Sequence, residues 1–180
     1  CTADGLSLML NPAIILIDNF VDNTNILFDE FCQTVAWNEN FSARKTASFG
    51  VAYHYSGVSY DESPFPPVIK ALAEKIAHQL GFLANNCLIN YYQNGQSRMG
   101  FHVDDISQMA EGTGVAIISL GATREITYRL IADKAVKVSY ALRAGSLFHM
   151  DDEVQRLWQH AILADSTIQP RISLTFRQLI

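Results

Sequence analysis

The sequence has little cysteine: three in 180 residues, Cys1, Cys32 and Cys87. They are odd in number, widely spaced and form no CxxC pair. That excludes a disulfide framework or a cysteine-rich zinc site and points to a reducing compartment. No apolar run approaches the ~18 residues that a membrane span needs. The apolar stretch 6–17 has no basic segment ahead of it and is broken by Pro12. No targeting signal is therefore expected, and the expected location is cytoplasmic or nuclear. The chain begins at Cys1 rather than Met, so its start is expected upstream. Positive charge is also short: 13 Lys and Arg against 18 Asp and Glu, a net charge of −5. Such a balance argues against gripping a polyanion over the whole surface. With no repeat, low-complexity tract or linker, residues 1–180 read as a single domain.

What is present is the material of a globular core. Hydrophobic residues make up 49% and charged ones 17%, which excludes intrinsic disorder, collagen-like fibre and coiled coil. Charge is uneven along the chain. Residues 1–120 hold 5 basic and 12 acidic side chains, whereas residues 121–180 hold 8 and 6. A polyanionic partner is thus expected to meet the last third.

Ala13 to Ile17 reads as a strand, and Asn23 or Thr24 can cap a helix reaching about Ala36, with Ile26, Leu27, Phe31 and Val35 on its apolar stripe. Pro66 and Pro67 set the start of a second helix, on which Val68, Leu72, Ile76 and Leu80 recur at helical spacing before Gly81 ends it. Then the texture changes. Short β-like runs cover 87–93, 101–104, 114–120, 124–131, 136–142, 146–150, 158–164 and 171–177, mostly separated by turn residues. That pattern predicts a sandwich or barrel with the helices packed on one sheet. Residues 38–63 lack clear periodicity, although 49–55 could form a hairpin arm, and a long irregular stretch is often a binding lid.

His102-Val103-Asp104 closes one of these runs. On a strand, residues i and i+2 face the same way, so an imidazole and a carboxylate there can converge on one ion of the Fe(II), Mn(II) or Zn(II) kind. A third ligand is needed from His54, His78, His149 or His160. His78 falls on the exposed side of its helix and His54 in the presumed lid. His149 and His160 lie in late strands, and His160 is preferred because of the strand that comes after it. In Arg171 to Arg177 the residues alternate: Ile172, Leu174 and Phe176 face a core, while Arg171, Ser173, Thr175 and Arg177 share the other face. Two arginines inside an apolar barrel need an anionic partner, which a dicarboxylate would supply. The alternative is an edge strand with a solvated face. Asn90 and Tyr92, also i and i+2, add two groups able to hydrogen-bond a carboxylate or keto oxygen.

In this order, Asn90-x-Tyr92, Gly95, His102-x-Asp104, His160 and Arg171-x5-Arg177 resemble the AlkB-type Fe(II)/2-oxoglutarate dioxygenases. The segment 145–162 resembles the family stretch that leads into the second iron histidine. Arg44, Phe49, Tyr53 and Tyr55 lie in a stretch similar to its nucleotide-recognition lid. The resemblance covers about 44 to 177. It implies a mainly β fold with buttressing helices, a double-stranded β-helix or jelly roll. Residues about 1–43 and 64–82 would give helical and N-terminal support, 44–63 the lid and 87–180 the catalytic core. It implies that His102, Asp104 and His160 hold Fe(II) and form the catalytic centre. Arg171 would pair with the distal carboxylate of 2-oxoglutarate, Asn90 and Tyr92 would hydrogen-bond this co-substrate, and Arg177, Ser173 and Thr175 would line its pocket. With O2 as oxidant, the reaction would strip N-methyl groups from bases such as 1-methyladenine or 3-methylcytosine in DNA or RNA, yielding formaldehyde, succinate and CO2.

The base would be single-stranded or flipped out and held by Phe49, Tyr53 and Tyr55. Arg44, Lys45 and Arg98 would form a short groove giving salt-sensitive strand binding. A monomer without an obligate protein partner and without membrane association is expected. One position departs from the family. Two residues after the iron aspartate, where nucleic-acid demethylases usually carry an acid that reads the base, stands Ile106. Either Asp105 or Glu111 substitutes, or base selectivity differs, or the same chemistry acts on a protein side chain or small molecule. From another class, the chain could be a non-catalytic jelly-roll module binding an anion through Arg171 and Arg177.

Overall fold

In the computed structural model, residues 11–180 are described; Cys1 and residues 6–10 of the apolar stretch lie outside the described residues. The elements are β1 (Ile14–Ile17), α1 (Thr24–Thr34), β2 (Lys45–Gly50), β3 (Tyr53–Tyr55), β4 (Val58–Tyr60), α2 (Pro67–Leu80), β5 (Asn86–Tyr92), β6 (Met99–His102), β7 (Val115–Gly121), β8 (Arg124–Leu130), β9 (Lys137–Leu142), β10 (Leu147–Met150), α3 (Asp152–Leu157), β11 (Trp158–Ile162) and β12 (Arg171–Arg177). A six-stranded sheet runs β1-β10-β7-β12-β5-β2, and a four-stranded sheet runs β6-β11-β8-β9. Every pairing in both is antiparallel. This is the expected jelly roll, mainly β with helices on one sheet. β1 and β2 extend the larger sheet from outside the segment 87–180, so part of the expected lid, β2, is an edge strand, and only β3–β4 forms a separate hairpin.

The larger sheet has two buried faces. Toward the helices it presents Ile172, Leu174 and Phe176 of β12 with Cys87 and Ile89 of β5, packed against Phe31 of α1 and Ile69, Leu72 and Ile76 of α2. Toward the smaller sheet lies a second cluster built on Leu88, Tyr128, Leu142, Phe148 and Trp158. Burial on both faces is why these strands read as apolar runs broken only by chemically active residues.

Two helical stripes differ from the expected ones. In α1, Ile26 is 66% exposed and Phe28 packs in its stead, while the expected Leu27, Phe31 and, just past the helix, Val35 do make the contact. In α2, Ile69, Leu72, Ala73 and Ile76 are buried, an i, i+3, i+4, i+7 set, while Val68 and Leu80 sit at its margin. The start at Pro66–Pro67 and the stop at Gly81, whose φ is +83°, are as expected.

Candidate metal and co-substrate site

β6 ends at His102, so Asp104 stands in the loop beyond the strand rather than on it. The two still converge: His102 Nε2 lies 3.7 Å from Asp104 Oδ1. Across the β6–β11 pairing, His160 is the direct register partner of His102, with ring centroids 4.3 Å apart. One ligand atom from each of His102, Asp104 and His160 falls within 4.8 Å of the others. His102 Nδ1 is 2.8 Å from the Gly100 carbonyl. A ring nitrogen can only donate to a carbonyl, so Nδ1 carries a proton and Nε2 is the nitrogen turned toward Asp104.

The charges of the cluster suit a cation. Burial, then the charges of His102 and Arg177, hold His160 down at about 3, so its imidazole is neutral. Burial works against the Asp104 carboxylate, but Arg177, His160 and His102 together bring it down to about 2. An ionised carboxylate and neutral imidazoles are the donor set of a divalent first-row metal. Arg177 Nη2 donates to Asp104 Oδ2 at 3.2 Å, and its guanidinium lies 5.1 Å above the Tyr53 ring.

β12 forms the opposite wall. It sits between β5 and β7, not at an edge, and all seven of its residues are buried, which rules out the solvated face. Arg171, Ser173, Thr175 and Arg177 line a cavity together with Asn90, Tyr92, His102, Asp104 and His160. Arg171 donates to Ser119 Oγ at 3.0 Å and lies over the Tyr92 ring. Its Nε and Nη1 nevertheless have no protein partner, nor do Nε and Nη1 of Arg177. Burial pulls the Arg171 guanidinium down and Tyr92 pushes it up; a buried cation with two unpartnered nitrogens is the complement of an anion not made of protein. The remaining wall is apolar: Leu88, Ile117, Ile126, Leu142, Met150 and Ile162. Only Tyr55, Met99 and His102 among the lining residues are partly exposed, so they mark the entrance.

Strand parity sorts the other expected residues. β2 pairs with β5 in the register Thr46↔Asn90 and Phe49↔Cys87. Arg44 and Thr46 therefore turn to the cavity side, whereas Phe49 packs into the helix-side core and takes no part in the cavity. The same parity places His149 on the helix side of β10, next to the Thr113 carbonyl and Phe82. Tyr55 reaches the cavity; Tyr53 is buried beneath Arg177, where burial lifts its hydroxyl to about 12. Arg44 is 8% exposed and donates to Asn90 Oδ1 at 2.8 Å and to the Tyr55 hydroxyl at 3.3 Å.

The expected three-residue basic groove is not formed. Arg44 is committed inward, Lys45 pairs with Glu39 at 2.6 Å, and exposed Arg98 lies outside the depression that those two line. Asp105 is exposed and caps a single 3₁₀ turn, Ile106–Gln108: one oxygen accepts from Ser107, the other from Gln108. Ile106 packs against the inter-sheet cluster. His54 and His78 are exposed, away from the cavity.

Three contributors escaped the sequence reading. Gln155 of α3 accepts the Asp104 backbone N–H at 2.8 Å. Tyr128 of β8 packs 5.6 Å from His160. Arg124 of β8, buried, donates to the carbonyls of Asn94, Ser97 and Leu163 and lies 2.8 Å from Asp165, joining the loops that lead into β6 and out of β11. The close approach of those loops is why residue 95 is glycine: a Cβ there would stand 2.3 Å from the Asp165 carbonyl oxygen.

The profile of the 2OG-Fe(II) oxygenase superfamily matches residues 25–177. The DNA oxidative demethylase ALKBH2 of Bos taurus is 30% identical over 148 residues, which cover 76% of this chain and 53% of that protein. The human alpha-ketoglutarate-dependent dioxygenase alkB homolog 3 is 27% identical over 186 aligned positions, covering 91% of this chain and 65% of its own. An uncharacterized protein of Acanthamoeba polyphaga mimivirus is 33% identical over 131 residues, 72% of this chain and 68% of its own. The chain thus spans little more than half the length of the ALKBH2 relative. The solved structure of OsALKBH1 superposes with a TM-score of 0.64 at 17% identity, covering 94% of this chain and 99% of that one, which is a likeness of fold.

Proposed function

The chain belongs to the 2OG-Fe(II) oxygenase superfamily, as an AlkB-type member, and from that premise we propose that it oxidatively demethylates N-alkylated bases of DNA or RNA. The bases would be of the 1-methyladenine or 3-methylcytosine type, with formaldehyde, succinate and CO2 released. His102, Asp104 and His160 would hold Fe(II). When bound, iron with 2-oxoglutarate supplies the two-electron oxidation of an N-methyl C–H bond by O2, coupled to loss of CO2 from the co-substrate.

The chain's own part is binding, orientation and exclusion of water. Arg171 would meet the distal carboxylate of 2-oxoglutarate with the two nitrogens that lack partners. Asn90 and Tyr92 flank that place on β5, with the Asn90 amide held by Arg44, and Ser173 and Thr175 offer hydroxyls along β12. The apolar wall keeps bulk water from the reacting carbon. An unstacked base would enter past Tyr55 and Met99.

The observation that carries this reading is one cavity in which the His102–Asp104–His160 cluster faces an arginine with unpaired N–H groups. Incubating single-stranded DNA and RNA oligonucleotides that contain 3-methylcytosine with Fe(II), 2-oxoglutarate and O2 tests it, and release of formaldehyde from at least one is expected. A second reading, the same oxidation of a protein side chain or small molecule, is favoured by the entrance. Close by in sequence, both Asp105 oxygens accept hydrogen bonds within the 3₁₀ turn and Ile106 packs against the inter-sheet cluster, so neither is turned into the cavity. Succinate without formaldehyde on either strand would decide for it. Neither product, and no charge-transfer band on anaerobic addition of Fe(II) and 2-oxoglutarate, would leave the anion-binding module.

A further inference from the structure

We propose that Gln155 is a positioning residue for the metal centre: it sets where the Asp104 carboxylate stands relative to the two histidines. The inference rests on the reading that His102, Asp104 and His160 bind a metal.

The need for such a residue follows from the topology. His102 and His160 lie in β6 and β11 and face each other in register, so sheet pairing fixes both. Asp104 lies two residues past the end of β6. Its amide is bonded not to a strand but to the Gln155 side chain, at 2.8 Å. Its carboxylate is held by Arg177, a partner that a bound cation would rival for the same charge. Gln155 then remains as the contact that holds the residue without touching the ligand oxygens.

Gln155 is itself fixed. It is 4% exposed, and its amide can face only one way. Oε1 must meet the Asp104 N–H, because a backbone amide only donates, and Nε2 points at the Met150 sulfur at 3.1 Å. The same sulfur accepts from the Tyr128 hydroxyl at 3.0 Å, and Tyr128 packs on His160. The helix that carries Gln155 is anchored at its start. Asp151 caps the Val154 N–H, and the Asp152 carboxylate takes the amides of Gly112 and Gly114. α3 runs directly into β11. One short helix therefore ties the aspartate to the strand that delivers the second histidine. Groups that orient metal ligands from behind are typically worth about 10–100-fold in metal affinity.

The test uses Co(II), whose visible spectrum reports its ligand geometry, on the full metal-free chain. Gln155→Met fills the same space with a thioether, a far weaker acceptor than an amide oxygen, and Gln155→Glu keeps an acceptor oxygen. Near-UV circular dichroism establishes that each variant is folded. Wild type is expected to bind Co(II). Gln155→Met should bind about 10-fold or more weakly with altered visible bands, and Gln155→Glu should keep the wild-type band positions. Wild-type affinity and spectrum in folded Gln155→Met would overturn the inference while leaving the metal site standing. If Gln155→Met does not fold, Gln155→Glu decides alone, with altered bands in that variant overturning the inference. A wild type that binds no Co(II) and no Fe(II) would instead remove the metal-site reading on which the inference rests.

Discussion

Arg177 and Asp104 form an ion pair, 3.2 Å between Nη2 and Oδ2, with both side chains at least 96% shielded from solvent. Such a pair depends on its partner being present. Removing one member strands an uncompensated charge and costs about 3–5 kcal/mol. Arg177→Gln should therefore lower the stability of the metal-free protein by roughly that amount in urea unfolding. Saturating Mn(II) should recover part of the loss, because a cation at the triad gives Asp104 a new partner. Equal losses with and without metal would count against Asp104 as a ligand.

The same cluster sets an acid sensitivity. His160 is depressed to about 3 from 6.5, and Asp104 to about 2 from 3.8. In both cases the unfolded chain takes up its proton at a higher pH than the folded one. Stability is then full above about 6.5 and falls with pH, through His160 first, down to about 3, and through Asp104 between about 3.8 and 2. Denaturant midpoints of the metal-free protein measured from pH 8 to 4 should decline below 6.5. His160→Gln should flatten most of that decline, whose onset near 6.5 is set by proton uptake in the unfolded chain.

Arg171 is the next test, on the co-substrate side. A charge-assisted hydrogen bond is worth about 1.5–3 kcal/mol, so Arg171→Gln should raise the 2-oxoglutarate dissociation constant by about 10–100-fold. The charge-transfer band of the Fe(II) complex gives the titration. Co(II) affinity in the absence of 2-oxoglutarate should stay within about two-fold of wild type, because Arg171 bonds Ser119 rather than a metal ligand. A parallel loss of metal binding would mean that Arg171 acts on the fold and not on the co-substrate.

Much of this site was legible because strands repeat with a period of two. The alternation in Arg171 to Arg177 separates a core face from a polar face, and the structure keeps that division across all seven residues. The i, i+2 spacing of Asn90 and Tyr92 holds for the same reason. Phe49 shows the limit: one step of parity decides between cavity and helix-side core, and a segment without clear periodicity does not reveal which it takes. Asp104 was placed on the right side although the strand stops short of it. What holds it, Gln155, is 51 residues away, and a side chain meeting a distant loop amide leaves no local pattern. Arg124 is hidden likewise. In sequence it is one more charge at the start of a strand, where solvent exposure is the ordinary expectation.

That arginine carries the last prediction. Arg124 is 1% exposed, and its guanidinium reaches 2.6 Å from the Leu163 carbonyl, 3.0 Å from that of Ser97 and 3.2 Å from that of Asn94, with Asp165 at 2.8 Å. The first loop it holds leads into β6 and His102; the second leaves β11 just after His160. Arg124→Leu removes the guanidinium from the Ser97 and Leu163 carbonyls, and a shielded acceptor left unpaired costs about 1–3 kcal/mol. A loss of about 3–5 kcal/mol is expected, which for a chain of this size corresponds to roughly 10 °C in Tm. Amide exchange should rise in 94–98 and 163–167 ahead of β8. If exchange instead rises evenly through the smaller sheet, Arg124 supports the sheet as a whole, and the two ligand strands owe their spacing to backbone pairing alone.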